Sequence, residues 1–125
     1  MQERKLMEMV EAAGTIAIAG HVRPDGDCVG SCLAVCNYIT EQYPEKTVDV
    51  YLETPPVKFS YLKQFERISS DSNTGKQYEL CICLDSGDRE RLGNNVVYLD
   101  TAKTSICIDH HITNKGYAAS NFVNA

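Results

Sequence analysis

Residues 15–27 read Thr-Ile-Ala-Ile-Ala-Gly-His-Val-Arg-Pro-Asp-Gly-Asp, and this stretch decides the fold of the chain. Residues 15–20 are small and apolar, which predicts a short buried strand. The polar segment from His21 to Asp27 follows directly, and residues 28–41 then show the apolar spacing of a helix that ends before Pro44. A strand that leads through a polar turn into a helix is the repeating unit of an α/β fold.

The same alternation continues along the chain. Short apolar runs between turn-forming residues predict further strands over residues 47–52, 80–84, 96–99 and 105–108. Helices are predicted over residues ~2–13 and ~56–66, and a loop over residues 69–76. The sequence therefore predicts an α/β fold with a mainly parallel sheet flanked by helices. No closing helix is predicted near residues 121–125, so we expect the domain to be incomplete at its C-terminus.

Polar residues of one chemical kind follow three of these strands. They are His21, Asp25 and Asp27 after the first, Asp85 after the strand 80–84, and Asp109, His110 and His111 after the strand 105–108. Ligands of open α/β sheets bind at the carboxyl ends of the strands, so these side chains are expected to meet at one edge. Carboxylates and imidazoles brought so close together would repel or protonate one another unless cations held them.

The kind of ligand predicts the kind of metal. All three histidines of the chain lie in these segments, which favours metal binding over a scattered structural use. A set of oxygen and imidazole ligands without thiolate favours Mn²⁺ or a similar divalent ion. Two such ions about 3.5–4 Å apart can share a bridging carboxylate and activate a water molecule.

Some of these residues also have simpler interpretations. Asp25 stands in a Pro-Asp-Gly turn, and Asp27 could simply cap the next helix. Gly30 and Ser31 are predicted in the first turn of that helix, where free amides favour an anion, and packing of the helix against the sheet explains them equally well.

Composition narrows the class of protein. Hydrophobic residues make up 43% of the 125 residues, which suits a packed domain. The net charge of −5 argues against a surface for long duplex DNA, and no apolar run approaches the ~20 residues of a membrane span. The six cysteines form no Cys-x-x-Cys pair, and buried free thiols in a reducing cytoplasm explain their spacing better than disulfides or zinc.

The motifs in order resemble the DHH phosphoesterase superfamily. They are His21-x-x-Pro24-Asp25-Gly26-Asp27-x-x-Gly30-Ser31, then Asp85, then Asp109-His110-His111-x-x-Asn114. Within the superfamily the similarity is greatest to the bacterial oligoribonuclease type, which also dephosphorylates 3′-phosphoadenosine 5′-phosphate. The resemblance covers most of the chain and implies a Rossmann-like DHH domain. It implies a cytoplasmic hydrolase that cleaves short RNA or nucleotides with water activated by two divalent ions, and it leaves room for a homodimer.

The resemblance also implies which residues bind the metals. His21, Asp25 and Asp85 would hold one Mn²⁺, and Asp27, Asp85 and His110 would hold the other, with Asp85 as the bridge.

Other residues would act around the metals. The resemblance implies that His111 contacts the scissile phosphate and that Asp109 orients the neighbouring histidines, so both count as candidate catalytic residues. Gly30, Ser31 and Asn114 are the candidate substrate-binding residues.

The chain departs from the family pattern in two respects. The family has one further metal-binding Asp after the Asp-His-His segment, whereas no Asp or Glu follows His111 here. It also has a C-terminal substrate-binding domain that nothing in this chain resembles. We therefore expect residues 1–125 to be the N-terminal, partial DHH domain of a longer protein, with little activity on its own.

Three other functions remain open at this point. The substrate could be cyclic-di-AMP, its linear dinucleotide product or pyrophosphate. The protein could instead be a single-strand exonuclease of the same superfamily. A domain that binds metal without catalysis is the alternative outside enzymes, while a flavodoxin-like binding module would leave the Asp-His-His segment unexplained.

Overall fold

A parallel sheet forms the centre of the fold. The computed structural model describes residues 2–109 and 116–123, with side chains from Arg4 to Asp109 and from Gly116 to Asn121. The strands of this part are Thr15–Ala19 (β1), Thr47–Tyr51 (β2), Ile68–Ser69 (β3), Leu80–Leu84 (β4), Thr104–Asp109 (β5) and Ser120–Val123 (β6). They lie in the order β3-β2-β1-β4-β5-β6, and every neighbouring pair is parallel. The predicted α/β class with a mainly parallel sheet is confirmed.

Helices cover both faces of the sheet. The α-helices of the described residues are Gln2–Ala12 (α1), Gly26–Gln42 (α2) and Val96–Thr101 (α3). Short 3-10 helices lie at Val57–Phe59, Phe65–Arg67 and Arg89–Asn95. Among the described residues, none of the helices is both long enough and apolar enough to cross a membrane.

Alternate residues of the strands pack on opposite faces, as the two-residue period of a strand requires. On one face, Ile16, Ile18 and Ile82 pack with the buried residues of α2. On the other face, Ala17 and Ala19 leave space for the large rings of Tyr51, Tyr78 and Tyr98. The small residues of β1 are therefore matched to a bulky aromatic layer.

The predicted helix over residues 56–66 is wrong, because two 3-10 helices replace it. Pro56 is extended before the first of them, and Gln64 adopts a left-handed φ of 67° before the second, which interrupts a regular helix. The predicted inward side chains, Phe59, Leu62 and Phe65, do pack against the core.

The predicted strand over residues 96–99 is also wrong, because these residues begin α3. Two adjacent valines favour a strand on propensity, but tertiary packing decides the outcome. The ring of Tyr98 stacks on that of Tyr51 at 3.8 Å between centroids, and the adjacent Leu99 is also buried. A strand would have placed these two neighbours on opposite faces. The short strands β3 and β6 were not predicted.

The strand order places a switch point at the centre of the sheet. From β1 the chain builds outward through β2 to β3, then returns to the other side of β1 and builds outward through β4 to β6. In doubly wound sheets this reversal opens a crevice at the carboxyl ends of the two central strands, where ligands bind. Here those ends are Ala19 of β1 and Leu84 of β4.

Candidate metal centre

His21 stands two residues beyond β1 in this crevice, and only 5% of it is exposed. Its Nδ1 lies 2.7 Å from the backbone carbonyl oxygen of Val22. A carbonyl can only accept a hydrogen bond, so Nδ1 carries the proton and donates it. In the neutral ring, Nε2 therefore presents a lone pair to whatever lies opposite.

Two carboxylates lie opposite that lone pair. The Nε2 atom is 3.4 Å from Oδ2 of Asp85 and 3.7 Å from Oδ1 of Asp25. Both distances exceed the 2.7–3.2 Å of an ordinary hydrogen bond. Ligand atoms about 2.0–2.2 Å from one tetrahedral ion are about 3.3–3.6 Å apart, so the Asp85 distance lies within this range and the Asp25 distance lies just above it.

Asp25 is fixed by the start of α2. It is the N-cap residue, and its Oδ1 accepts a hydrogen bond of 3.0 Å from the backbone N–H of Cys28. That hydrogen bond lowers the pKa of Asp25 below its ordinary value, so the carboxylate stays ionised. The simple interpretation of Asp27 as the cap is thus wrong, because Asp25 caps the helix, and this cap holds the Asp25 carboxylate toward His21.

Asp85 is fixed by the junction of β4 and β5. Its backbone N–H donates to the carbonyl oxygen of Ile108 at 3.1 Å, and its φ of 54° is left-handed. Left-handed residues other than glycine are uncommon and cluster at functional sites, although aspartate tolerates the conformation better than most. The side chain is 10% exposed and faces the His21 ring.

The remaining predicted site residues are placed as follows. Asp109 ends β5 next to this junction and is buried, with 5% exposed. Asp27 is exposed in the first turn of α2. His110, His111 and Asn114 lie outside the described residues, so their roles stay predictions.

The predicted position of Gly30 and Ser31 needs correction. Helix α2 begins at Gly26, earlier than predicted, so these two residues lie in its second turn and not among its free amides. Packing does not explain Gly30 either, since a Cβ built there meets no described atom within 4 Å. Ser31 is exposed on the same turn. Whether they bind substrate stays a prediction.

Sequence reasoning missed two residues of the site. All six cysteines are free and buried, as expected, but the Cys28 sulfur lies within 4.8 Å of ligand atoms of both His21 and Asp85. Its position directly after Asp27 was the available signal. Gly20 was missed as well: a Cβ there would lie 2.4 Å from Sγ of Cys28 and 2.7 Å from Cδ2 of Leu52. Only glycine allows α2 to start so close to β1.

The chemistry of this cluster fits a divalent cation. The neutral imidazole lone pair faces two carboxylates, of which Asp85 is largely buried and Asp25 is exposed, and a cation between them removes the repulsion of these groups. Histidine ligands of metals usually donate their second ring N–H to a carbonyl or carboxylate, as His21 does to Val22.

Fold and site together define an α/β domain with a candidate metal centre at the switch point of a doubly wound sheet. The chain belongs to the DHH family, because residues 15–125 match the N-terminal domain of that family. The family expected from the motifs is confirmed.

Two relatives and one solved structure illustrate the similarity. The chain is 32% identical to the probable bifunctional oligoribonuclease and PAP phosphatase NrnA of Streptococcus mutans, over 97% of this chain and 37% of that protein. It is 31% identical to the bifunctional oligoribonuclease and PAP phosphatase NrnA of Bacillus subtilis, over 86% of this chain and 32% of that protein. The crystal structure of an exopolyphosphatase-related protein from Bacteroides fragilis shares the fold, with a TM-score of 0.87 at 21% identity over 98% of this chain and 38% of that one. The chain thus spans about a third of the length of these relatives.

Proposed function

We propose that this chain is the metal-binding domain of a phosphoesterase that hydrolyses short oligoribonucleotides, 3′-phosphoadenosine 5′-phosphate, or both. The observation that carries the proposal is the Nε2 lone pair of His21, which faces Asp25 and Asp85 at the switch point of the sheet. Membership of the DHH family and the names of the Streptococcus and Bacillus relatives support this activity.

Residues of the two motifs, together with Asp85, would hold two ions. His21, Asp25 and Asp85 would hold the first, and Asp27, Asp85 and His110 the second; Mn²⁺ is the proposed metal. When bound, such ions polarise a phosphate group and lower the pKa of water at neutral pH. The protein residues fix the geometry: Cys28 holds Asp25 through its amide, and Val22 holds the ring of His21.

Other residues would position the substrate. Asp109 is buried beside the junction that carries Asp85, which suits a role in orienting the next two histidines. His111 is proposed to contact the scissile phosphate. Ser31 is exposed one turn along α2 from Asp27, and its hydroxyl group is proposed to bind phosphate. Gly30 and Asn114 complete the proposed set.

The length of the relatives bears on where the substrate is recognised. Because the chain spans about a third of them, we propose that a C-terminal substrate-binding domain and the further metal-binding aspartate belong to the longer protein. The free, buried thiols support a cytoplasmic location as part of the same proposal. The alternative substrates would be hydrolysed at the same metal centre, whereas the non-catalytic alternative would bind metal there without hydrolysis.

The test compares metal binding and hydrolysis in matched aspartate variants. Asp85→Asn is expected to abolish high-affinity Mn²⁺ binding in calorimetric titration and to reduce hydrolysis of a generic bis-phosphoester by the longer protein at least about 100-fold. Asp88→Asn is the control, because Asp88 is exposed and caps the following 3-10 helix through the amide of Arg91. Hydrolysis and Mn²⁺ binding that survive Asp85→Asn would show that the proposal is wrong.

A further inference from the structure

We propose that Cys28 supplies a thiolate ligand to the metal position of His21 and Asp85, which gives this position additional affinity for thiophilic divalent ions such as Zn²⁺ and Cd²⁺ while Mn²⁺ binds through the oxygen and imidazole ligands. The inference rests on the metal centre of the proposed function and refines the metal that it takes.

Three ligand atoms of different kinds converge at this position. The Cys28 sulfur, a ring nitrogen of His21 and a carboxylate oxygen of Asp85 all lie within 4.8 Å of one another. Among residues 2–109 and 116–123, no other group of three histidine, cysteine or acidic side chains brings its ligand atoms so close together. Cys28 is fully buried, so its sulfur faces the cluster and the core and does not face solvent.

The position of the sulfur is set by its surroundings. The backbone N–H of Cys28 is committed to Asp25, which ties the thiol to a second proposed ligand of the same ion. The missing side chain of Gly20 provides the space that the sulfur occupies, since a Cβ there would lie 2.4 Å from it. The thiol is therefore held beside the His21 ring by two independent features of the backbone.

The other cysteines of α2 differ from Cys28 in position. Cys32 and Cys36 are fully buried one and two turns further along the helix, in the same apolar core. Thus all three cysteines of the stripe are buried in the core, and Cys28 is the one whose sulfur also lies beside the ligand atoms of His21 and Asp85.

A thiolate changes which ion binds best. Oxygen and imidazole ligands suit Mn²⁺, whereas a sulfur ligand shifts the preference toward Zn²⁺ and Cd²⁺. As the sulfur–metal bond forms, the S–H bond breaks and the proton is released to solvent, so no oxidant or reductant is needed.

Cadmium is the probe for the test, because a cadmium–thiolate bond absorbs in the near ultraviolet. The purified metal-free protein is titrated with Cd²⁺ under reducing conditions, and Mn²⁺ binding is followed separately by calorimetry. We expect a sulfur-to-metal absorption band that saturates with one ion and is lost in both Cys28→Ala and Cys28→Ser. The second variant keeps the size of the side chain in case the first one does not fold. Cadmium affinity is expected to fall at least about tenfold, while Mn²⁺ affinity changes little.

Two controls place the band at this position. Cys36→Ala removes a thiol from the same helix and should leave the band intact, whereas His21→Ala should weaken it. A band that persists without Cys28, or no band although Mn²⁺ binding still depends on His21, overturns thiolate ligation and leaves the proposed function standing. If neither ion binds in a way that depends on His21, the metal centre itself is wrong, and both proposals fail.

Discussion

At the scale of single residues, Gly20 and Gly30 lie in the same motif region but differ in the space that is available for a side chain. Gly20 lies where the end of β1 meets the start of α2, and an added methyl group would overlap the Cys28 sulfur and Leu52. Gly30 lies inside α2, and an added methyl group meets no described atom within 4 Å. The two positions therefore separate a glycine required by packing from one that is not.

We predict that Gly20→Ala destabilises the protein by about 1–3 kcal/mol, because overpacking forces the start of α2 away from β1. The same displacement moves Cys28 and with it the amide that holds Asp25, so metal affinity should also fall. Urea unfolding in the presence of a chelator measures the first effect, and metal titration measures the second. Unchanged stability in this variant would contradict the close contact.

For Gly30→Ala the prediction has the opposite sign. Alanine in a helix interior is more favourable than glycine by about 0.5–1 kcal/mol, so the variant should be more stable than the parent chain. If Gly30 also lies against the substrate in the longer protein, KM should rise while metal affinity stays the same. A loss of stability would contradict the open space around the Cβ position of Gly30.

At the scale of the element, α2 couples the fold to the metal centre through its first turn. Asp25 is both the cap of the helix and one of the carboxylates that face His21. Capping does not need a negative charge, since a neutral side-chain oxygen also caps a helix. Metal binding beside His21 does need the charge of the carboxylate.

This difference can be measured with two substitutions. Asp25→Asn keeps a capping oxygen and should leave the stability of the metal-free protein within about 0.5 kcal/mol of the parent, while metal affinity falls sharply. Asp25→Ala should lose the metal and also about 1 kcal/mol of stability. Thermal unfolding with chelator, beside calorimetric titration, separates the effects; equal stability of the two variants would argue against the capping role.

An element could be predicted from the sequence where its local residue pattern agrees with its tertiary packing. β1, α2 and β4 were predictable because their apolar period and turn residues agree with the final packing. The segment 96–101 was not, because its valines favour a strand while the stacking of Tyr98 on Tyr51 requires a helix. β3 has only two residues, which are too few to show the alternation of a strand.

The same contrast holds for the candidate site. His21, Asp25 and Asp85 could be found from chain order alone, since each follows the end of a strand or begins a helix. Cys28 could not be distinguished from Cys32 and Cys36, because all three share one helical stripe. Only the close approach of α2 to β1, permitted by Gly20, places the first of them beside His21.

At the scale of the whole molecule, the face of the sheet opposite α2 is closed by an aromatic layer. Tyr51 and Tyr98 stack, and the hydroxyl group of Tyr78 donates to Oδ2 of Asp49 at 2.6 Å. Because Tyr78 donates there, it accepts the hydrogen bond from the hydroxyl group of Tyr51. This layer joins β2, α3 and the segment that leads into β4, so its protonation state bears on the stability of the entire domain.

Burial, and then the hydrogen bond that it donates to Asp49, raise the pKa of Tyr78 far above its ordinary value of 10.0. A raised pKa in the folded state means that the stabilising contribution is complete below pH 10.0 and declines as the pH rises above it, because the unfolded chain ionises first. We predict that the parent protein loses stability steeply above about pH 10, by up to about 1.4 kcal/mol per pH unit for each such group.

Tyr78→Phe should be less stable at neutral pH by about 1 kcal/mol, because Asp49 loses a hydrogen bond, but its stability should fall less steeply above about pH 10. Urea midpoints across this range measure both, with Tyr61→Phe as the control because Tyr61 is 80% exposed. Parallel losses in the parent and in Tyr78→Phe would mean that Tyr78 does not govern the alkaline limit of the fold.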